Sequence, residues 1–248
     1  MTDSAKIINE TKNYILEIFK NGLSKQKDVA LNLKKGIDLL VGSECEDIDF
    51  LKKKIIKFCH EELIELYNNP SSNQVNLDRI ALIEKNFKKF VIDLNIASMS
   101  NLHQLPFERR LTNEESEILK SKLKNDWDFD GWNKGNYYWE PLAKTNNRNS
   151  LIFFKYDLFD DDDVKRIINL IKKISHNKIL FLTEDQLDYE IDVIEFNLDL
   201  LESSYTNWEN TWLIYISHED IITIGGEILT ELMKLEFPLK IISKNDLW

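Results

Sequence analysis

Four consecutive residues, Ser217-His218-Glu219-Asp220, have the side-chain types of a hydrolase site. Imidazole and carboxylate groups can act as general bases, and a serine hydroxyl can act as a nucleophile. However, neighbours on a strand point to opposite faces, so Ser217 and His218 are poorly placed to act on each other. The glycine-flanked serine turn of many esterases is also missing from the sequence. The pattern is more typical of a polar hairpin turn.

A second group of possible ligands is Asp157 with the run Asp160–Asp163. Several carboxylates in one place can hold a divalent cation, but this run lacks the central glycine and the terminal glutamate of a calcium loop. Aspartates are also favoured at a helix start without any metal, because exposed amides and the helix dipole attract them. We therefore predict no metal site, no cofactor and no catalytic residue.

Other signatures of catalysis are missing from the sequence. It contains no Walker motif, dinucleotide fingerprint, HExxH or paired CxxC, and its four histidines are scattered. Gly225-Gly226 could admit a phosphate at a helix start, but Glu227 directly after it would repel the anion. A metal-assisted hydrolase using Asp157, Asp185 or His218 is kept as an alternative that requires a bound divalent ion.

The strongest feature of the sequence is an acidic segment. Residues 179–233 contain 13 acidic side chains and no Lys or Arg, and residues 151–248 carry 9 basic and 20 acidic groups, so the formal charge of −11 belongs to this part of the chain. A surface of one sign attracts partners of the opposite sign. The sequence therefore predicts a basic protein partner. The carboxylates expected to contact it are Glu195, Asp199, Glu202, Glu219 and Asp220.

Aromatic residues are predicted to anchor that partner. Trp and Tyr are enriched at binding hot spots, and the anchors expected here are Trp139, Trp208 and Trp212. An aromatic stretch at 127–139 could instead stack on nucleobases, but it is interleaved with acids. Phosphate contacts dominate nucleic-acid binding, so we predict no nucleic-acid partner.

The elements that must position these residues fall into two regions. Residues 1–100 show four amphipathic helical patterns, which predict a helical bundle or layer. Thr112 and Glu115 have the spacing of a capping box, which predicts a helix start. Residues 101–248 are predicted to form an acidic α+β domain with a mixed, mainly antiparallel sheet and helices on one face.

The predicted strands of the second region come from short apolar runs and from period-two alternation. They are Leu151–Tyr156, Lys178–Thr183 and Asp192–Leu200, followed by a hairpin of Trp212–Ser217 and Ile221–Gly225. A closing helix is predicted over Glu227–Leu235. Asp192–Leu200 is expected to be half-exposed, because apolar residues alternate there with acids.

Cellular location is predicted from the cysteines and the hydrophobicity pattern. Cys45 and Cys59 do not form a disulfide framework, the first residues lack a signal-peptide pattern, and no run reaches the roughly 20 apolar residues of a membrane span. We therefore expect a cytoplasmic protein that does not bind membranes. The oligomeric state is left open by the sequence.

Three stretches of the C-terminal region carry a resemblance to a known family. They are the acidic Asp192–Asp199, its continuation Leu201–Tyr205, and Trp212–Glu219 leading to Ile224–Gly226. In these residues the region resembles bacterial immunity proteins of polymorphic and contact-dependent toxin systems, and the resemblance covers no more than residues 102–248. The resemblance implies a non-enzymatic inhibitor whose acidic face docks on a basic toxin domain, such as a nuclease. The remaining alternative is a structural or scaffold protein whose charge maintains solubility.

Overall fold

The computed structural model describes residues 1–70, 72–99, 104–127, 129, 151–183, 187–199 and 202–243. The chain divides into two compact units, Met1–Arg110 and Leu111–Trp248. The boundary therefore falls after Arg110, whereas the sequence had placed it near residue 100.

The first unit is helical, as predicted. Its helices are α1 (Asp3–Asn21), α2 (Ser24–Asp38), α3 (Ile48–Tyr67) and α4 (Gln74–Asp93), followed by a 3₁₀ turn (Ile96–Ser98) and the short strand β1 (Glu108–Arg110). Asp47 caps α3 by accepting from Phe50 N at 2.9 Å, and Asn73 caps α4 by accepting from Asn76 N at 3.0 Å. Across all the described residues, no helix is both long enough and apolar enough to cross a bilayer.

Helices α2 and α3 pack closely at a glycine. A Cβ atom placed on Gly36 would lie 2.7 Å from the backbone N and Cα of Cys59. The two backbones can approach this far only because Gly36 has no side chain. Leu33, Ile37 and Leu63 are fully buried around this contact, so it lies inside the core of the first unit.

A buried group of charges joins the helices of the first unit to β1. Asp38 is fully buried, and its carboxylate contacts Lys12 Nζ and Lys34 Nζ, each at 2.8 Å. Glu108 contacts the same two amines, at 3.6 Å from Lys12 and 2.6 Å from Lys34. Each carboxylate therefore has two cationic partners, which offsets the cost of desolvating Asp38.

The second unit combines an antiparallel sheet with three helices. Among its described residues the helices are α5 (Asn113–Trp127), α6 (Asp161–Ile174) and α7 (Glu227–Glu236), and the strands are β2 (Leu151–Lys155), β3 (Lys178–Thr183), β4 (Tyr189–Asp192), β5 (Ser203–Thr206), β6 (Leu213–Ile216), β7 (Ile221–Gly225) and β8 (Ile241–Ile242). They lie in the order β4-β3-β5-β6-β7-β2-β8. Every one of these pairings is antiparallel.

The two faces of this sheet carry separate cores. Ile214 and Ile216 face the core that contains α6 and α7, whereas Leu213 and Tyr215 face the core that contains α5. This alternation is the period of two expected of a strand buried on both sides. On the α5 side the ring of Trp127 lies against Gly225, where an added Cβ would come within 2.4 Å of the ring.

The predicted α+β class and the antiparallel sheet are confirmed, and so are most elements of the second unit. The capping box forms, with Thr112 N donating to Glu115 Oε2 at 2.8 Å and Glu115 N donating to Thr112 Oγ1 at 3.2 Å. The placement of helices on one face holds for α6 and α7 but not for α5, which covers the opposite face.

The predicted strand over Asp192–Leu200 is wrong. β4 ends at Asp192, and residues Val193–Glu195 form a 3₁₀ turn in which Phe196 N donates to Val193 O at 3.2 Å. Phe196 and Leu198 are buried while Asp199 is exposed, so the alternation of burial is real from there on. This alternation of burial arises in a segment that makes no described strand pairing. Ile194, which the pattern predicted to be buried, is exposed.

Candidate functional site

The register of the sheet brings together two acidic segments that are distant in sequence. Ser203 at the start of β5 pairs with Ile216 at the end of β6. Glu202 therefore lies just beyond the strand end, beside the turn that joins β6 to β7. That turn contains His218, Glu219 and Asp220, and Ser217 N closes it by donating to Ile221 O at 2.9 Å.

Glu202 is held in place by several hydrogen bonds. Its Oε2 accepts from the hydroxyl of Tyr215 at 2.8 Å, and its Oε1 accepts from the backbone N–H of His218 at 2.9 Å. Its Oε1 also contacts Nδ1 of the His218 ring, and Nε2 of that ring lies 2.9 Å from Glu219 Oε1. The side chain of Glu202 is only 14% exposed, whereas that of His218 is 53% exposed. The imidazole thus bridges two carboxylates at the surface.

A tyrosine connects this cluster to a second group of acids. The hydroxyl of Tyr156 donates to Asp199 Oδ1 at 2.7 Å, and the backbone N–H of Tyr156 donates to Asp220 O at 2.8 Å. The hydrogen bond to Asp199 raises the pKa of Tyr156, and desolvation and the negative charges of Asp199, Asp220 and Asp161 raise it further. These carboxylates therefore act together on one hydroxyl group.

We call Asp199, Glu202, Glu219 and Asp220 the acidic rim. Asp199, Glu219 and Asp220 are exposed and Glu202 is partly buried. Glu202 and Asp220 both have left-handed backbone conformations, with φ of 52° and 59°. Residues other than glycine adopt this conformation at an energetic cost, so the surrounding contacts must hold the rim in shape.

Glu195, which the sequence predicted to contact the partner together with the four rim residues, lies elsewhere. Glu195 ends the 3₁₀ turn after β4. Asp192, the last residue of β4, pairs with Lys178 at the start of β3, whereas Ser203 beside the rim pairs with Thr183 at the end of β3. Glu195 is exposed but lies towards the opposite end of the sheet.

The predicted tryptophan anchors also differ in position. Trp208 follows β5 at the end of the strand away from the rim, and its Nε1 donates to Glu190 Oε1 at 3.0 Å. Trp212 does not lie at the surface, where the sequence analysis had placed it as an anchor. It is 1% exposed and lies in the core, and its Nε1 donates to Ser175 Oγ at 2.8 Å. A ring buried in this way cannot anchor a partner at the surface. Trp139 lies outside the described residues.

Sequence reasoning missed Tyr156 and Tyr215 as members of this site. Tyr156 directly follows β2, and Tyr215 points from β6 towards the α5 side of the sheet, where its hydroxyl reaches Glu202. The available signal was that each tyrosine belongs to a predicted strand segment, Tyr156 at its end and Tyr215 within it, and that a tyrosine ring can be buried while its hydroxyl reaches polar groups.

The arrangement offers metal ligands but does not assemble a serine nucleophile. Oxygen and nitrogen donors of Glu202, His218 and Glu219 all lie within 4.8 Å of one another. Ser217 is 7% exposed, and its Oγ accepts a hydrogen bond from the backbone N–H of Glu219 at 3.3 Å. Its hydroxyl is thus engaged within the turn, in agreement with the hairpin predicted from sequence.

Comparison with known proteins gives one match of limited extent. The chain is 39% identical to an uncharacterised protein of Methanocaldococcus jannaschii over 49 residues, which are 20% of this chain and 27% of that protein. No family model matches the chain, and no solved structure matches it.

Proposed function

We propose that this protein is a non-enzymatic binding protein that recognises a basic partner protein through the acidic rim. The observation that carries the proposal is the convergence of Asp199, Glu202, Glu219 and Asp220 at one end of the sheet. Carboxylates placed together raise the local negative potential and steer cationic surfaces towards them.

The rigidity of the rim also favours binding. Glu202 is fixed by Tyr215 and by the backbone of His218, and Asp199 is held by Tyr156. Side chains that are already ordered lose less conformational entropy when a partner docks. A rim of this kind is suited to fast, salt-dependent association.

We further propose that this protein is cytoplasmic and that its partner is a toxin domain with a cationic nucleic-acid groove, which this protein inhibits. In such a complex the rim carboxylates would occupy positions that phosphates otherwise take. Support comes from the acidic rim and from the resemblance of residues 102–248 to immunity proteins. Inhibition would follow from occlusion of the groove, and the rim would need no catalytic group.

The test compares two variants of equal charge. The rim variant is Asp199→Asn, Glu202→Gln, Glu219→Gln and Asp220→Asn combined. The control variant combines Glu195→Gln, Glu209→Gln, Glu227→Gln and Glu231→Gln, all at exposed positions of the same unit. Each removes four negative charges, so the net charge changes from −11 to −7 in both.

Tagged wild-type protein and both variants are used to capture proteins from a lysate of the source organism at low salt, with EDTA present. We expect a basic protein that the wild type and the control variant retain, that the rim variant binds on the order of tenfold more weakly, and that salt releases. Equal loss in both variants would indicate a response to net charge alone. Equal retention in both would refute the role of the rim.

A further inference from the structure

We propose that Glu202, His218 and Glu219 form a binding site for a divalent transition-metal ion of the zinc class. This site is distinct in chemistry from the partner-binding role of the rim. One donor atom from each side chain lies within 4.8 Å of the other two. The donors come from two chain segments that the pairing of β5 with β6 holds together.

The mixed donor set selects the class of metal. Calcium and magnesium prefer sites built from oxygen alone, whereas zinc and its neighbours accept an imidazole nitrogen together with carboxylates. Donors bound to zinc at about 2.1 Å in a tetrahedral arrangement are about 3.4 Å apart. The spacing of 2.9 Å between His218 Nε2 and Glu219 Oε1 and the 4.8 Å limit for the group bracket that value. Because Glu202 and Glu219 contact different ring nitrogens of His218, one carboxylate side chain would have to rotate so that both share an ion bound at a single nitrogen.

Metal ligands are usually oriented by hydrogen bonds from neighbouring groups, and Glu202 has such bonds. The hydroxyl of Tyr215 donates to Glu202 Oε2 and the backbone N–H of His218 donates to Glu202 Oε1, so the carboxylate of Glu202 is oriented before any ion binds. The His218 side chain is 53% exposed, which gives an ion access from solvent. Three protein ligands leave at least one coordination position for water.

The sequence around the site supplies an independent argument. Residues 179–233 contain 13 acidic groups and no Lys or Arg, so no lysine or arginine of this segment can neutralise Glu202 and Glu219. In the structure His218 contacts both carboxylates through its two ring nitrogens. A divalent ion bound at one ring nitrogen would add positive charge that the Lys and Arg residues of this segment do not supply.

The test is a calorimetric titration of the full chain, stripped with a chelator, with zinc chloride. We expect one ion per chain, and no comparable binding of magnesium or calcium chloride. His218→Ala and Glu219→Gln should each weaken zinc binding at least tenfold. His176→Ala, at an exposed histidine of the same unit, should not. Glu219→Gln is included because Glu219 is exposed and its replacement should leave the fold intact.

A second readout follows the imidazole of His218 by NMR during the titration. Zinc should shift its ring signals in the wild type and in the His176→Ala variant. Binding that is unchanged in both His218→Ala and Glu219→Gln, or the absence of any one-to-one binding, would overturn the proposal. The titration contains no partner protein and the capture experiment contains EDTA, so each proposal can fail without the other.

Discussion

The left-handed backbone of Glu202 leads to a prediction about the order of stability of two variants. Glu202→Ala removes hydrogen bonds from Tyr215 and His218 but keeps the unfavourable φ of 52°. Hydrogen bonds to a charged group contribute about 1.5–3 kcal/mol each, and water can replace part of this at a side chain that is 14% exposed. We expect the free energy of unfolding to fall by about 2–4 kcal/mol.

Glu202→Gly loses the same hydrogen bonds but relieves the backbone. The relief is about 1–2 kcal/mol, and the extra entropy of glycine in the unfolded chain takes back about 0.5–1 kcal/mol. Glu202→Gly should therefore be more stable than Glu202→Ala by up to about 1.5 kcal/mol, with a central value of about 0.75 kcal/mol. At Glu209, which is exposed and is not among the positive-φ residues, the order should be reversed. Glu209→Ala should stay within about 0.5 kcal/mol of the wild type.

The assay is urea unfolding followed by tryptophan fluorescence. All six tryptophans lie in residues 111–248, so the signal reports on the second unit alone. The dependence on urea should keep the same slope in all variants, which would show that the midpoint shifts reflect stability. If Glu202→Gly is no more stable than Glu202→Ala, the strain assigned to this residue is absent. If Glu202→Ala equals the wild type, the hydrogen bonds contribute nothing.

Two further predictions concern the helix contact and the tyrosine of the site. Gly36→Ala should lower the stability of the first unit by about 1–3 kcal/mol, because the new Cβ would meet the Cys59 backbone at 2.7 Å. This loss should outweigh the preference of alanine for helices. Urea unfolding followed by far-UV circular dichroism would detect it, and an unchanged midpoint would contradict the prediction. Asp199→Asn should lower the pKa of Tyr156 towards its ordinary value of about 10, since the hydrogen bond to Asp199 is the main cause of the raised pKa. An NMR titration of ¹³C-labelled tyrosine, with the signal assigned from Tyr156→Phe, would measure this pKa. An unchanged pKa would argue against the hydrogen bond.

Local sequence patterns predicted many of the elements but not the contacts of the site. The capping residues Thr112 and Glu115, the apolar run Lys178–Thr183 and the hairpin after Trp212 each carry their signal within a few neighbouring residues. The contact of Glu202 with His218 spans 16 positions and depends on the register of β5 against β6. No local pattern specifies that register, so sequence reasoning could name both residues without pairing them.

The errors have separate physical origins. Alternation over Asp192–Leu200 reports which side chains are buried, but burial against a core does not require a neighbouring strand. Trp212 was assigned to a surface because tryptophan is common at interfaces, yet the same large ring is equally suited to a core. β4 and β5 were not predicted, and β5 lacks an apolar run because Ser203, Ser204 and Thr206 surround its single tyrosine.

The strand order of the second unit constrains how the polypeptide can fold as it is synthesised. Among the described strands of this unit β2 is the first to be made, but it pairs with β7 and β8, the last two of them, through contacts such as Leu151 with Gly225 and Phe153 with Ile242. Contacts this distant in sequence slow folding. The apolar residues of β2 must therefore wait for nearly the whole unit to emerge from the ribosome, and a chain interrupted before residue 221 would leave them without either partner strand.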